Sequence, residues 1–188
     1  MDSTTPTEPD EIIAQVNCLK HVYPDHTTVD LCGLDFTVRR GQRVAVLGAN
    51  GSGKSTLIFH LLGLLSPVDG QVTVFGVNPA KQFRDIRHRV GVLLQNVDDQ
   101  IIGPTVWDDI TFTPRALGWQ RGEVEARGNA ICDRLGISHL KTRIPHYLSG
   151  GEKRKVALAG ALVTEPELLI MDEDRKSTRL NSSHSLPS

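Results

Sequence analysis

Gly48-Ala49-Asn50-Gly51-Ser52-Gly53-Lys54-Ser55 fits the pattern G-x-x-x-x-G-K-[ST], and its flanks decide what the pattern means. Before it, Arg43-Val44-Ala45-Val46-Leu47 is a short apolar run that predicts a strand buried on both faces, as in a parallel sheet covered by helices. After it, Lys54 to Leu65 holds no proline, and no glycine until Gly63, and reads as a helix. Glycines between such a strand and helix let successive N–H groups point inward, and the helix N-terminus adds partial positive charge where a phosphate would sit. Gly48, Asn50, Gly51, Ser52, Gly53 and Lys54 are therefore expected to cradle phosphates, with Lys54 reaching the β- and γ-phosphates. Ser55 is expected to offer its hydroxyl to Mg²⁺, with Thr56 available beside it.

Such a site needs a carboxylate at the end of another parallel strand, close to the loop across the sheet. Leu168-Leu169-Ile170-Met171 is a second buried run, and Asp172 and Glu173 end it. Asp172 is placed to hold Mg²⁺ through water, and Glu173 to orient or deprotonate an attacking water. Around these two runs the chain reads as mixed α/β. Ile12–Leu19 and Thr28–Val38 predict two antiparallel strands, and Gln71–Phe75 and Val90–Leu94 predict two more. Val124, Ile131 and Leu135 mark one face of a helix, and Ser149–Val163 reads as another.

Composition narrows the classes. In 188 residues, 21 Lys and Arg stand against 22 Asp and Glu, without a basic block, which argues against a dedicated nucleic-acid binder. The apolar stretch Leu57–Leu65, interrupted by His60, falls short of the roughly 20 residues a membrane-spanning helix needs. The polar, acidic start predicts a disordered terminus over residues 1–11 and no secretory signal, hence a cytoplasmic protein. Cys18, Cys32 and Cys132 lack metal-ligand spacing and are expected to be reduced thiols in or near a core.

Leu148-Ser149-Gly150-Gly151-Glu152 resembles the signature sequence of ATP-binding cassette (ABC) ATPases, although Ser149 with Glu152 also spells an ordinary helix capping box. The resemblance implies a P-loop ATPase domain over residues 12–173, with an N-terminal antiparallel β subdomain, a central parallel sheet and a helical signature subdomain. It implies ATP and Mg²⁺ as ligands. It further implies that Ser149, Gly150 and Gly151 dock on the γ-phosphate held by a second ATPase subunit, identical or paralogous. Gln95 resembles the glutamine that contacts Mg²⁺ and water and relays nucleotide state to a transmembrane partner, and Tyr23 resembles the aromatic that stacks on adenine. Gln95-Asn96-Val97-Asp98-Asp99-Gln100 is similar to the Q-N-P-D-D-Q segment of cobalt, nickel and energy-coupling-factor transporter ATPases, with Val97 in place of the proline. The implied function is ATP hydrolysis that drives uptake of such ions or vitamins, from the cytoplasmic face of the membrane.

After Glu173 the resemblance stops. Residues 174–188 match no part of the fold and resemble the translation of a sequencing-library adapter, so they are expected to be non-native, with the strands that would complete the parallel sheet missing. A chain so arranged is expected to fold poorly or aggregate, because apolar surface and a strand edge stay uncovered. Two other readings remain open: a soluble ATPase of the same superfamily without a transmembrane partner, and a non-catalytic fragment that only binds nucleotide.

Overall fold

The structure is a computed structural model and describes residues 11–172. The expectations for residues 1–10 and for 173–188, Glu173 among them, lie outside the described residues.

The long strand β1, Ile12–Val22, organises the first layer because its apolar residues alternate toward one face: Ala14, Val16 and Leu19 are buried. Its one edge carries β2, Thr28–Asp30, and β3, Asp35–Arg39, both antiparallel, in registers such as Val22↔Thr28 and Val16↔Phe36. Helix α1, Lys54–Leu61, crosses beneath, and Leu57 and Leu61 join the core of this layer. Strand β4, Asp69–Val74, runs antiparallel along the other edge of β1 and adds Val72 and Val74 to the same core. The register slips at Cys18, which takes φ 51° between Asn17 and Leu19. Gly70 (φ 95°) makes room for that bulge: a Cβ there would stand 1.8 Å from the Cys18 carbonyl oxygen.

Helix α2, Pro79–Ile86, starts on Asn78, whose side chain accepts from Ala80 N–H. It leads into β5, Val90–Leu93. The helical half follows: α3, Val106–Ile110, α4, Phe112–Ala116, α5, Arg121–Arg134, and α6, Gly150–Leu162. These enclose a second core, in which Val106, Ile110, Ile131 and Val156 are buried together. Strand β6, Leu168–Met171, then pairs in parallel with β5, from Val90↔Leu168 to Leu93↔Met171. The halves are also held by Glu167, whose carboxylate takes Arg89 through both oxygens and Arg40 Nη2 at 2.6 Å.

Most expected elements are present with shifted ends, and three expectations are corrected. Thr28–Val38 is two strands, because Asp30 accepts from Cys32 N–H and Leu34 N–H turns back onto Leu31 O. Arg43–Leu47 is an irregular segment with Leu47 89% exposed. Among the described residues β5 and β6 pair only with each other, so this run has no ladder partner, and apolar sequence without one does not make a strand. The thiols of Cys18 and Cys32 are joined as a disulfide, since the bulge in β1 faces the turn after β2; Cys132 is free and buried. No helix among the described residues is long and apolar enough to cross a membrane.

Candidate functional site

The phosphate loop ends where α1 begins, and that helix has no side-chain cap. Its N-cap is Gly53, at φ 87°, so the N–H groups of the first turn are left to be met by water or a ligand. Gly53 is held under Val29 and Leu31 of the neighbouring β2 edge: a Cβ would meet Val29 Cγ1 at 2.7 Å. Any side chain here would therefore carry both a left-handed backbone and a clash. Farther back, Ser52 N–H closes the loop onto Ala49 O at 3.2 Å. Lys54 folds over the loop, its Nζ donating to Gly48 O at 2.9 Å and to Ala49 O at 2.8 Å. An ammonium thus sits within the curl of Gly48–Gly53.

From the other half comes Asp172. Its N–H donates to Leu93 O at 2.9 Å and extends the β5–β6 ladder by one residue, which carries its carboxylate to α1. Ser55 Oγ donates to Asp172 Oδ2 at 3.5 Å. Two hard oxygen donors meeting beside a phosphate cradle suit Mg²⁺, which takes few protein ligands and fills its octahedron with water and phosphate oxygens. Among the described residues no three His, Cys, Asp or Glu side chains converge to form an all-protein metal cage.

Tyr23 follows β1 at the same end, and its hydroxyl lies 2.9 Å from Thr56 Oγ1 in the first turn of α1. Gln95 is exposed two residues after β5. The turn it begins is closed by Gln100, whose Oε1 accepts from Leu94 N–H and whose Nε2 donates to Val92 O, so a side chain imitates a neighbouring strand. Ser149, Gly150 and Gly151 are exposed at the start of α6, in the helical half. The capping box read there is formed: Ser149 N–H donates to Glu152 Oε2 at 2.8 Å and Glu152 N–H returns to Ser149 Oγ. These bonds, with the Ser149 hydroxyl foremost, hold the Glu152 carboxyl below its usual range.

The structure therefore brings together Gly48, Gly53, Lys54, Ser55, Thr56, Tyr23 and Asp172, and sets the Ser149–Gly151 turn apart on the other half. Two participants escaped the sequence reading. Lys153, in the first turn of α6, reaches Asp98 in the acidic segment after Gln95. His60, four residues beyond Thr56, is buried, and among the described residues neither ring nitrogen has a well-formed hydrogen bond. Opposite charges 55 positions apart give no sequence signal, and the spacing of Thr56 and His60 becomes informative only when the strand they face is known.

Known proteins resemble this chain in sequence and fold. The family profile described as ABC transporter matches residues 31–175. An energy-coupling factor transporter ATP-binding protein of Methanothermobacter thermautotrophicus is 46% identical over 158 residues, covering 82% of this chain and 50% of that protein. Its counterpart in Methanoculleus marisnigri is 46% identical over 156 residues, covering 82% of this chain and 56% of that protein. Among solved structures, cbiO1 from Clostridium perfringens, part of the ABC transporter complex cbiONQ, superimposes with a TM-score of 0.75 at 35% identity, over 87% of this chain and 66% of that one. The chain spans about half of the length of these curated relatives. A match over most of the chain, joined to a phosphate loop, a strand-end carboxylate and a capped signature turn in this fold, places the chain in the ABC transporter family, as an ATPase domain.

Proposed function

We propose that the protein is the ATP-binding and ATP-hydrolysing subunit of a membrane transporter, most closely of the kind that takes up cobalt or nickel ions or vitamins. The observation that carries the ATPase reading is the meeting of Ser55 and Asp172 beside the uncapped start of α1. The transporter reading draws on the relatives named as energy-coupling factor ATP-binding proteins and on cbiO1, part of an ABC transporter complex.

In this reading, Gly48, Asn50, Gly51, Ser52 and Gly53 turn backbone N–H groups toward the β- and γ-phosphates. Lys54 exchanges its two loop carbonyls for phosphate oxygens as the nucleotide arrives. Thr56 lies next to Ser55 on the same turn, and Tyr23 presents its ring to adenine. Ser55 and Asp172 would hold Mg²⁺, Asp172 through water, and the ion when bound would supply positive charge at the phosphates. Glu173 takes the proton of the water that attacks the γ-phosphorus, the bond to the β–γ bridging oxygen breaks, and ADP and phosphate result. Gln95 senses the change. Ser149, Gly150 and Gly151 complete the site of a second ATPase subunit, identical or paralogous, which fits their exposure at a helix N-terminus away from this chain's own loop. The assembled dimer sits on transmembrane subunits at the cytoplasmic face of the membrane and binds no nucleic acid.

The test is reconstitution of the full-length protein with its membrane partners in vesicles. ATP-dependent uptake of a cobalt or nickel ion or a vitamin, abolished by Lys54→Ala, is the expected outcome. Turnover by a soluble dimer that never co-purifies with a membrane protein would favour the soluble-ATPase reading. Nucleotide binding without turnover, even in the full-length protein, would leave a binding module.

A further inference from the structure

Beside the aliphatic residues of their shared core, strand β1 and helix α1 come together through a group of four polar or aromatic side chains. His21 lies near the end of β1 and Tyr23 just beyond it; Thr56 and His60 are four apart on α1 and share a face. The contacts run in a chain. His60 lies edge-on to His21, with ring centroids 5.0 Å apart, and His21 lies edge-on to Tyr23 at 4.5 Å. The chain closes through the Tyr23 hydroxyl, 2.9 Å from Thr56 Oγ1. His21 is anchored separately, its Nδ1 lying 3.3 Å from Ser66 O. The Tyr23 backbone is held as well, since Tyr23 N–H donates to Thr27 O and His26 N–H to Tyr23 O.

His60 is the unusual member. It is 1% exposed, and among the described residues neither ring nitrogen has a well-formed hydrogen bond, the Leu65 backbone offering only a weak contact. A buried, unsatisfied polar ring is costly and calls for an explanation beyond filling space. Its neighbours supply one: His60 backs His21, which backs the tyrosine standing over the helix that carries the phosphate contacts.

We propose that His21 and His60 are positioning residues for the nucleobase, a relay of edge-to-face rings that fixes the angle of the Tyr23 ring relative to the phosphate loop. The inference rests on the reading of Tyr23 as the adenine platform. Because Thr56 and His60 belong to α1, the platform is indexed to the helix whose N-terminus receives the phosphates. Base and phosphates are thereby held at a set separation. Neither histidine touches the nucleotide; each acts through Tyr23.

The experiment compares binding of ATP with binding of inorganic tripolyphosphate, which has no base, by the full-length protein and its variants. His21→Leu and His60→Leu remove the ring contacts, and His60→Phe keeps a ring. His60→Met keeps volume without a ring and serves if His60→Leu does not fold, as judged by thermal melting. Loss of an edge-to-face contact predicts ATP affinity weakened about three- to tenfold in His21→Leu and His60→Leu, with tripolyphosphate affinity unchanged. His60→Phe is expected within twofold of the parent for both ligands. Equal weakening of both ligands would show that the histidines serve only the fold, and would overturn the proposal. Tyr23→Ala separates the two layers of the argument. If it weakens ATP alone while the histidine variants bind ATP normally, the relay is wrong and the platform stands. If it leaves ATP affinity unchanged, the platform reading fails and the relay with it.

Discussion

Lys153 Nζ lies 2.6 Å from Asp98 Oδ1, joining the first turn of α6 to the short acidic turn that follows Gln95. The lysine is 14% exposed and the aspartate 62%, so one partner is nearly withdrawn from water while the other stays wet. Asp98 is itself set by Asn96, whose side chain accepts from Asp98 N–H and donates to Asp99. The pair links the segment expected to sense nucleotide to the helix expected to serve a second subunit.

A half-wet ion pair contributes modestly to stability, roughly 0.2–1 kcal/mol. Lys153→Ala and Asp98→Ala are each expected to lower the melting temperature by only a few degrees. The double variant is expected to cost less than the sum of the two. A double-mutant cycle in urea measures the coupling, and full additivity would show that the contact has no energetic role.

Removal of the Lys54 charge tests the proposed phosphate contact. Its ammonium makes two short bonds to loop carbonyls, and each charge-assisted bond is worth roughly 1.5–3 kcal/mol. With those bonds exchanged for phosphate oxygens in the proposed complex, Lys54→Met is expected to weaken Mg·ATP about 10- to 100-fold, and loss of the loop bonds is expected to lower the melting temperature of the nucleotide-free protein as well. Titration calorimetry reads the first and thermal melting the second.

Gly70→Ala tests the bulge. The added methyl would stand 1.8 Å from the Cys18 carbonyl, at a backbone φ of 95° that L residues avoid. Both strain and clash fall where β4 pairs with β1, and a loss of roughly 3 kcal/mol or more is expected, seen as a shift of the urea midpoint. A midpoint within error of the parent would mean that the strands separate locally at no cost.

Acid is expected to weaken the fold in two separate steps. Burial, aided by the neighbouring His21, pushes His60 from an ordinary 6.5 down to about 4, so the unfolded chain binds a proton that the folded one refuses between those values. Stability contributed by neutral His60 is thus complete above 6.5 and is lost as pH falls toward 4, at up to about 1.4 kcal/mol per pH unit. Glu167 works lower. Its bonds to Arg89, then to Arg40, draw its carboxyl from 4.5 to about 2, and that contribution is lost as pH falls through this second window. Urea midpoints across pH 2–8 are expected to show both steps. His60→Phe is expected to remove only the upper one, and Glu167→Gln only the lower.

Much of the fold and half of the site are legible in residue order because the signals are local. Glycine spacing, the lysine and hydroxyl at the start of α1, the apolar run ending in Asp172 and the capping box of Ser149 and Glu152 each act within a few residues. Chain geometry alone imposes them. The antiparallel strands show themselves through alternation for the same reason, although their ends depend on turn chemistry such as the Asp30 side chain holding Cys32 N–H.

Contacts between distant segments are of another kind. Arg43–Leu47 has the composition of a buried strand, yet strand formation needs a neighbour to accept its hydrogen bonds, and composition says nothing of whether one is beside it. The Cys18–Cys32 disulfide arises only when β1 lies beside the turn after β2, the ring contacts from His60 to Tyr23 only when β1 lies against α1, and the Asp98–Lys153 pair only when α6 lies against the turn after β5. The sequence by itself determined which residues form the loop at the start of α1, because that loop is built on consecutive backbone groups. Only the tertiary structure decided what steadies them, because packing joins side chains without regard to their separation along the chain.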